Sequence, residues 1–408
     1  MLDGFKRPDA IDKLSHVQLS KEQIQLKIKV LNFIREGLKN YKPKDKASVF
    51  VIDGDAGTGK SVILNSLFND IQKISKKSSF EENDVLTGTE NYLVVNHPEM
   101  LKLYHRLSLS FDYLTKKDIE RPTSLINRLA KEKSNGCDVI IVDEAHLLAT
   151  AKNAYKRFYG ENHLEELMKL GKVLVIVYDD KQSLRMDQYW SEGTDNGGTL
   201  KDYLNSAKAC ETYYLKEQFR VTGAPDVQEW IKSISTTKKI LPIPTTDAKR
   251  RTNGDLDAFD FKIWDDCGAM YEELKKKDHE FGQCRVLCTY DFPYRLGTKD
   301  CNIKPWSERP DTIDEVGSVY TIQGFDLNYS GVILGRSVGY DAENDEIVIR
   351  PELYDDKAGF TKRSNIVSPD SVKEKIILNS INVLLTRGVR GMYIYAWDDE
   401  LRKRLLRD

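Results

Sequence analysis

The sequence lacks an apolar segment long enough to cross a membrane. No run approaches the roughly 20 consecutive apolar residues that a spanning helix needs, and the opening residues MLDGFKRPDAIDKL hold no apolar secretory stretch. The 408 residues are 40% hydrophobic and 31% charged, which is typical of a globular protein with a buried core. We therefore expect a cytoplasmic protein with two domains of roughly 200 residues each.

Cysteine is scarce, and its spacing argues against the common structural zinc motifs. The chain has six cysteines and no CxxC pair. Several lie in apolar, strand-like surroundings, as in Cys284-Arg-Val-Leu-Cys288, so we expect reduced and mostly buried thiols. The alternative is a zinc site formed by Cys267, Cys284 and Cys288 together with His279.

Excess charge of either sign is also missing. The chain has 62 lysines and arginines against 64 aspartates and glutamates, a net charge of −2. A surface coated with basic residues is therefore not expected, although a local groove can still be positive. No internal repeat is visible, and no nuclease, protease or metal-cluster motif accompanies the motifs described below, so any chemistry other than theirs would have to come from elsewhere.

Short β-branched runs alternate with helical segments from end to end. Most runs are nearly all apolar, as in parallel strands covered by helices on both faces. The expected strands are 48–53, 92–96, 138–143, 173–178, 259–264, 285–290, 318–322, 331–334 and 392–397. This pattern predicts an α/β fold with domains at 1–205 and 206–408. The segment 241–257, rich in proline, glycine and charge, is either a linker or a loop of the second domain.

A glycine-rich loop between an expected strand and an expected helix, 61–74, carries the strongest chemical signal. It reads GDAGTGKS and fits GxxxxGK[ST], the pattern of a phosphate-binding loop. Its glycines let successive backbone N–H groups face one anion, its lysine reaches the β- and γ-phosphates, and its serine is a ligand for Mg²⁺. The residues predicted to bind a nucleoside triphosphate are Gly54, Gly57, Thr58, Gly59, Lys60 and Ser61.

The acidic end of strand 138–143 supplies the second part of such a site. Asp143 is expected to hold Mg²⁺, usually through water, and Glu144 to orient and deprotonate the attacking water. Hydrolysis, and not only binding, is therefore expected. His146 of the same DEAH segment either couples the nucleotide site to a substrate or packs as an ordinary histidine.

Later segments resemble motifs of superfamily 1 helicases. The segment VYDDKQ, which ends at Gln182, resembles GDxxQ with the glycine replaced, and the resemblance implies that Gln182 meets the γ-phosphate or the water. The segments LKEQFR, which ends at Arg220, and VLLTRGVR, which contains Arg387, resemble those whose arginines reach the γ-phosphate from the second domain. Surface ion pairs are the alternative for both arginines.

Two further segments resemble nucleotide and nucleic-acid contacts of the same superfamily. The segment VYTIQGFD resembles TxQGxE, which implies that Thr321 touches the nucleic-acid backbone and that Gly324 and Asp326 face the nucleotide. Asp326 stands where glutamate is usual, so a ribose contact is one methylene short. Upstream, Gln23 lies in an LxxxQ segment that implies recognition of adenine by an amide, which is both donor and acceptor.

The ordered motifs from about Gln23 to Trp397 resemble the bacterial helicase-like ATPases allied to the schlafen-type DNA/RNA helicase domain. The resemblance implies two tandem RecA-like domains, with ATP and Mg²⁺ in the cleft between them. Only 83 positions separate Lys60 from Asp143, and 101 separate Arg220 from Thr321, so large inserted subdomains are not expected.

Two functions are compatible with these motifs. The first is ATP hydrolysis coupled to binding and translocation on, or unwinding of, DNA or RNA. The second is an ATP-driven switch without translocation that recruits or licenses a protein partner, such as a nuclease in phage defence.

Single-stranded nucleic acid is expected to cross the top of both domains, with its phosphates on hydroxyls, amides and lysines and its bases on aromatic rings. The candidate contacts are Asn96, His97, Thr321, Tyr189 and Trp190. For Tyr189 and Trp190, packing beneath the glycine-rich loop 191–199 is an equal alternative. The basic segment 401–407 is expected to be a solvated helix end.

Overall fold

Two parallel β-sheets covered by helices make up the computed structural model, which describes residues 14, 18–77, 84–132, 136–190, 199–219, 221, 223–292, 306–361, 366 and 368–407. The strands are β1 (Ser48–Gly54), β2 (Asn91–Val95), β3 (Ile119–Glu120), β4 (Cys137–Asp143), β5 (Gly171–Tyr178), β6 (Cys210–Leu215), β7 (Asp260–Ile263), β8 (Cys284–Cys288), β9 (Val316–Gly317), β10 (Leu327–Leu334), β11 (Val338–Asp341), β12 (Glu346–Ile349) and β13 (Gly388–Ala396). The helices are α1 (Lys21–Lys39), α2 (Lys60–Ser75), α3 (Pro98–Leu107), α4 (Pro122–Lys131), α5 (His163–Leu170), α6 (Leu200–Asn205), α7 (Pro225–Lys232), α8 (Thr246–Thr252), α9 (Cys267–Phe281), α10 (Val319–Ile322), α11 (Pro369–Leu385) and α12 (Asp399–Leu405).

The first sheet has the strand order β3-β2-β4-β5-β1-β6, and all its pairings are parallel. Helices cover both faces, so β1, β2 and β4 are almost entirely buried, which explains their continuous apolar sequences. Strand β5 lies between β1 and β4. The loops that follow these three strands therefore meet at one edge of the sheet, where parallel strands end together.

The second sheet has the order β7-β13-β10-β8-β9 and is also parallel. An antiparallel hairpin of β11 and β12 follows its central strand β10, all eight residues of which are buried. The predicted α/β class is confirmed. We call the first sheet with its helices the first unit (21–215) and the second sheet with its helices the second unit (225–405).

The predicted boundary at 205 needs correction, because the first sheet continues beyond it. Strand β6 pairs with β1 from Val49↔Cys210 to Gly54↔Leu215, so the first unit ends after Leu215. The sequence analysis missed β6 because this edge strand is largely exposed and its sequence, CETYYL, lacks a buried apolar run. Segment 241–257 is a loop of the second unit that contains α8, and the Asp226 carboxylate accepts from the N–H groups of Thr245 and Thr246.

The predicted strand 318–322 is wrong, because these residues form the short helix α10. The Ser318 N–H donates to Thr321 Oγ1 at 3.0 Å, and the Thr321 hydroxyl donates back to the Ser318 carbonyl at 2.8 Å. This local capping outweighs the β-propensity of Val319 and Ile322, which instead turn into the core. The strand that follows begins at Leu327, four residues earlier than predicted for β10.

The cysteines within the described residues are free, and burial raises the pKa of the thiols of Cys137, Cys284 and Cys288. The alternative zinc site does not form, since no group of three or more histidine, cysteine or acidic side chains close enough to hold a metal ion occurs in the described part of the chain. Cys301 lies outside the described residues. Among those described, no helix combines the length and the apolar composition that crossing a membrane requires.

Candidate functional site

The glycine-rich loop connects the end of β1 to the start of α2, as predicted. Gly57 and Gly59 have φ angles of 90° and 78°, in the left-handed region that favours glycine. A Cβ atom on Gly59 would also lie 2.4 Å from Gln23 Nε2. Gly59 is the N-cap of α2 and provides no side-chain cap, so the first N–H groups of that helix remain available to an anion.

Lys60 lies at the centre of the loop and is buried. Its ammonium group donates to the carbonyl oxygens of Gly54 and Asp55, the latter at 3.0 Å, and lies 3.5 Å from Asp179 Oδ2. The loop thus folds around the lysine and positions its charge. The carbonyl of Gly54 and the hydroxyl of Thr58, which donates to the Asp55 carbonyl at 3.0 Å, shape the loop from within.

Asp143 ends β4 beside the first turn of α2. The Ser61 hydroxyl donates to Asp143 Oδ1 at 3.2 Å, and the Tyr104 hydroxyl of α3 donates to Asp143 Oδ2 at 2.8 Å. Burial and the neighbouring Glu144 carboxylate raise the pKa of Asp143 to about 7. A hydroxyl and a carboxylate at this separation are hard oxygen donors of the kind that suits Mg²⁺.

Glu144 has an unusual backbone, with φ 52° and ψ 53°, which is left-handed for a residue with a side chain. Its Oε2 atom lies 3.1 Å from His146 Nε2. Burial lowers the pKa of His146, so the imidazole is neutral near pH 7. The turn therefore holds a buried carboxylate next to a neutral histidine.

Gln182 lies between the two units. Its amide nitrogen donates to Asp179 Oδ2 at 2.7 Å, and its amide oxygen accepts from Arg387 Nη2 at 3.2 Å. Arg387 is fully buried and also donates to the backbone carbonyls of Val383 and Phe325, at 2.6 and 3.2 Å. A continuous series of polar contacts thus runs from Lys60 through Asp179 and Gln182 to Arg387.

Gln323 makes a second connection between the units. Its amide nitrogen lies 3.0 Å from His146 Nε2 and donates to the Gln182 backbone carbonyl at 3.2 Å. It precedes Gly324, whose Cβ position lies 4.0 Å from Glu144 Oε1. The second unit therefore touches both the acidic turn and the Gln182 segment.

These residues surround a cavity of about 250 Å³. Its lining includes the predicted residues Gln23, Gly57, Gly59, Lys60, Ser61, Glu144, Gln182 and Gly324. It also includes Leu14, Gln18, Ser20, Val62, Met100, Leu103 and Phe219, which were not predicted. The glycine-rich loop lies on the wall of the cavity, as do Met100 and Leu103 of α3 and Gly324 of the second unit.

A family model matches residues 47–398, and its description is Schlafen group 3, DNA/RNA helicase domain. The chain belongs to this family. It is 61% identical to uncharacterized protein YPL245W of Saccharomyces cerevisiae, over 98% of this chain and 92% of that protein. The predicted resemblance to schlafen-type helicase domains is confirmed, whereas the relative just named is from a yeast and gives no support to the bacterial affiliation that was predicted.

Two solved structures of the Arterivirus helicase nonstructural protein 10 are also similar, one alone and one in complex with DNA. Each is 14% identical over 92% of this chain, with TM-scores of 0.35 and 0.37. This chain spans 64% and 66% of those viral chains. Because both scores are below 0.5, the family assignment rests on the family model and the yeast relative.

Some predicted residues of this Schlafen-family chain lie apart from the cavity. Asp326 is not part of the described lining, and Arg220 lies outside the described residues. Arg387 is not part of the described lining, but it contacts Gln182, which is. Gln23 lines the cavity, but its amide also forms a capping box with Ser20 at the start of α1, accepting from the Ser20 N–H at 3.0 Å.

Three residues of the site were missed as site residues by the sequence analysis. Tyr104 has no motif of its own and is recognised only by its contact with Asp143. Asp179 replaces the glycine of GDxxQ in the VYDDKQ segment, and that departure was the available signal for its contact with Lys60. Gln323 lies within the VYTIQGFD segment, and its position directly before Gly324 was the available signal. Tyr104 is 39 positions from Asp143 in sequence, and Asp179 is 119 positions from Lys60.

The predicted nucleic-acid contacts divide into separate environments. The Asn96 amide donates to the Leu147 carbonyl and lines a second cavity. His97 is buried at the N-cap of α3, where Nδ1 accepts from the Met100 N–H at 3.3 Å, and burial lowers its pKa. The Thr321 hydroxyl caps α10, as described above.

Tyr189 and Trp190 both pack within the protein. Tyr189 packs against a buried cluster that includes Val372 and Ile376, and Trp190 lies 5.4 Å from the Tyr203 ring, between ring centroids. This environment agrees with the packing alternative. Loop residues 191–198, beneath which that packing was expected, lie outside the described part of the chain.

Proposed function

We propose that this chain hydrolyses ATP between its two units and couples hydrolysis to binding and translocation on single-stranded DNA or RNA. The observation that carries this proposal is the polar series Lys60–Asp179–Gln182–Arg387, which joins the phosphate-binding loop to the second unit. When phosphate charge is gained or lost at the loop, the contact of Lys60 with Asp179 changes, and with it the contacts of Gln182 and Arg387 in the two units. Membership of a helicase-domain family supports the same conclusion.

The residues of the first unit have distinct roles in this proposal. Lys60 and the open N-terminus of α2 bind the phosphates, and Ser61 and Asp143 would hold Mg²⁺, which neutralises charge on the phosphate oxygens. Glu144 accepts the proton of the attacking water. Burial lowers the pKa of the neighbouring His146, so this imidazole adds no positive charge beside the carboxylate.

The second unit completes the site through Arg387 and Gln323. Arg387 holds the amide oxygen of Gln182, which fixes the orientation of the amide nitrogen. When the units close, the guanidinium lies near enough to the transferred phosphoryl group to stabilise its charge, as arginine fingers do. Gln323 contacts His146 and directly follows α10, where Thr321 lies, so a movement of the Glu144–His146 pair would be transmitted to that helix.

The non-translocating switch remains the second candidate, because the same contacts would close the units without movement along a polymer. The compact second unit favours the switch, because one helix, α9, leads directly into β8 and another, α11, leads directly into β13, with no inserted subdomain at either place. In that case ATP closes the units and creates a surface for a protein partner. The two candidates share the ATP chemistry and differ in what closure does.

Displacement of streptavidin from biotinylated single strands separates the two candidates. A translocase is expected to remove streptavidin from one end of DNA or RNA in the presence of ATP, and Glu144→Gln is expected to leave it in place. Robust ATP hydrolysis without displacement from either end of either polymer would contradict translocation and favour the switch. The Glu144→Gln protein controls for displacement by binding alone.

A further inference from the structure

A second cavity, of about 340 Å³, lies in the first unit and is formed mostly by residues outside the motifs. Asn96 at the end of β2 contributes to its wall, as do Arg121 and Thr123 at the start of α4. The loop between β4 and α5 contributes Arg157, and the segment after β5 contributes Gln188. Four separate parts of the unit therefore converge on one polar depression.

The charge of this cavity favours an anion. Arg121 and Arg157 are exposed, and neither has an ion-pair partner within the described part of the chain. Asp187 is the acidic side chain among the described lining residues, so positive charge exceeds negative charge. Helix α4 begins here without a side-chain cap, and its N-terminal end adds a favourable partial charge.

The cavity also has a polar group that lacks a protein partner. Gln188 is 9% exposed, and its amide oxygen has no hydrogen-bond donor among the described residues. Buried polar atoms are normally paired, by protein, water or ligand. Two other lining residues are paired with each other or with the backbone: the Thr123 hydroxyl lies 2.9 Å from His163 Nε2, and His163 Nδ1 accepts from the Ala149 N–H at 2.9 Å.

Two exposed tyrosines flank Arg157. Tyr155 is 98% exposed and Tyr159 is 69% exposed. Their loop, 153–159, is anchored: Asn153 and Phe158 exchange backbone hydrogen bonds at 2.9 and 3.0 Å, and the buried Phe158 ring lies 4.3 Å from the His163 ring. An anchored loop that exposes two aromatic rings, two residues before and two residues after an arginine in sequence, offers the groups on which bases stack and to which phosphates bind.

We infer that loop 153–159 and this cavity form a binding subsite for single-stranded nucleic acid. A backbone phosphate lies between Arg121 and Arg157, and neighbouring bases stack on Tyr155 and Tyr159. The inference rests on the proposed function and extends it, because the predicted contact Asn96 forms part of the same wall. The subsite would thus continue the nucleic-acid path away from the cleft and on to the outer face of the first unit.

The test is fluorescence anisotropy of labelled oligo(dT) and oligo(U) of about 16 nucleotides, a length that spans a typical single-strand site. Replacing both tyrosines, Tyr155→Ala with Tyr159→Ala, is expected to raise Kd about 10-fold or more, since each stacked base contributes to affinity. The pair Tyr155→Phe with Tyr159→Phe keeps the aromatic faces and is expected to bind like the unchanged protein. Leu109→Ala, at another exposed apolar side chain of the same unit, is the control.

Arg157→Ala tests the phosphate contact separately. It is expected to reduce the slope of log affinity against log salt by about 0.7, the effect of one lost phosphate contact on a single strand. Lys276→Ala, an exposed cation on α9 of the second unit, is the matched control and is expected to leave the slope unchanged. An unchanged slope in Arg157→Ala would remove Arg157 from the subsite.

The outcomes distinguish this inference from the proposed function. If the unchanged protein binds both polymers and the double alanine variant binds them equally well, the subsite is wrong while the proposed function stands. If the unchanged protein binds neither polymer, both fail, and the exposed tyrosines would instead face a protein partner. ATP hydrolysis without polymer is expected to be the same in all these variants, because none of the changed residues lines the nucleotide cavity.

Discussion

Glu144 is the residue on which hydrolysis is expected to depend most. Its backbone is held in a left-handed conformation, and its carboxylate lies between His146 and the Gly324 turn of the second unit. Such strained positions are maintained where the surrounding structure fixes them, often at functional sites. In the proposed mechanism other residues bind the phosphates, so we expect the carboxylate to be needed for chemistry and not for affinity.

Glu144→Gln is expected to bind ATP with unchanged affinity and to lower kcat by about 10²-fold or more, the usual contribution of a general base. The amide has the same shape as the carboxyl group but accepts no proton. Affinity is measured with a fluorescent ATP analogue and the rate by phosphate release. Loss of nucleotide binding in this variant would mean that Glu144 is structural.

Arg387→Ala is expected to lower kcat about 10³-fold or more while changing the Kd for ATP little, because an arginine finger acts in the transition state. The arginine is fully buried and bonded to two backbone carbonyls, so the thermal midpoint is measured as well. Arg387→Lys keeps the charge but not the bidentate geometry, and it is expected to recover activity only in part. A large rise in Kd with an unchanged kcat would argue against the finger role.

At the scale of elements, the start of α2 depends on Gly59 for two reasons, its conformation and its closeness to Gln23. Gly59→Ala is expected to destabilise the fold by about 1–2 kcal/mol through its left-handed backbone and, in addition, to weaken nucleotide binding by displacing Gln23. Gly88 has a similar φ of 75° but no atom within 4 Å of its Cβ position. Gly88→Ala is therefore the matched control for the backbone effect alone.

Denaturant unfolding and ATP-analogue binding are measured on both glycine variants. Similar losses of stability, with weaker nucleotide binding only in Gly59→Ala, would support the placement of Gln23 beside the nucleotide. Equal nucleotide affinity in the two variants would show that the contact between Gly59 and Gln23 has no part in binding.

Helices and strands were predicted well from the sequence where burial determines the pattern of apolar residues. Strands β1, β4 and β5 are covered on both faces, so their apolar runs marked them within a few residues. The prediction from sequence failed where local hydrogen bonds or exposure at a sheet edge determine the structure, as in the capped helix α10 and the exposed edge strand β6. Helix α2 was predicted within one residue at each end, because a glycine motif marks its start.

At the scale of the whole molecule, residues that belong to a motif were predictable even where they meet across the fold, and residues outside the motifs were not. Gln23, Lys60, Glu144, Gln182 and Gly324 come from five separate segments and line one cavity. The contact of Tyr104 with Asp143 becomes visible only when α3 and β4 are brought together, and the contact of Arg387 with Gln182 only when the two units are. Long-range contacts of single polar side chains leave no periodic signal in a sequence.

Nucleotide binding is expected to stabilise both units together, since the cavity contains residues of each. In Glu144→Gln, ATP with Mg²⁺ at about 100 times its Kd is expected to add about 2.7 kcal/mol to the free energy of unfolding, and removal of Mg²⁺ by EDTA to reduce this gain. Thermal denaturation measures the shift. Lys60→Ala is expected to show none, and a normal shift in that variant would contradict the assignment of the phosphate-binding loop.

The central claim is that ATP hydrolysis between the two units responds to single-stranded nucleic acid. The measurement that tests it most directly is steady-state ATP hydrolysis by the purified protein with and without single-stranded DNA or RNA, with Glu144→Gln as the measure of contaminating ATPases. The account predicts a rate that depends on Glu144 and rises about 10-fold or more with at least one polymer, because polymer contacts of both units favour closure of the site. A rate that depends on Glu144 but ignores both polymers would contradict the motor and leave the switch.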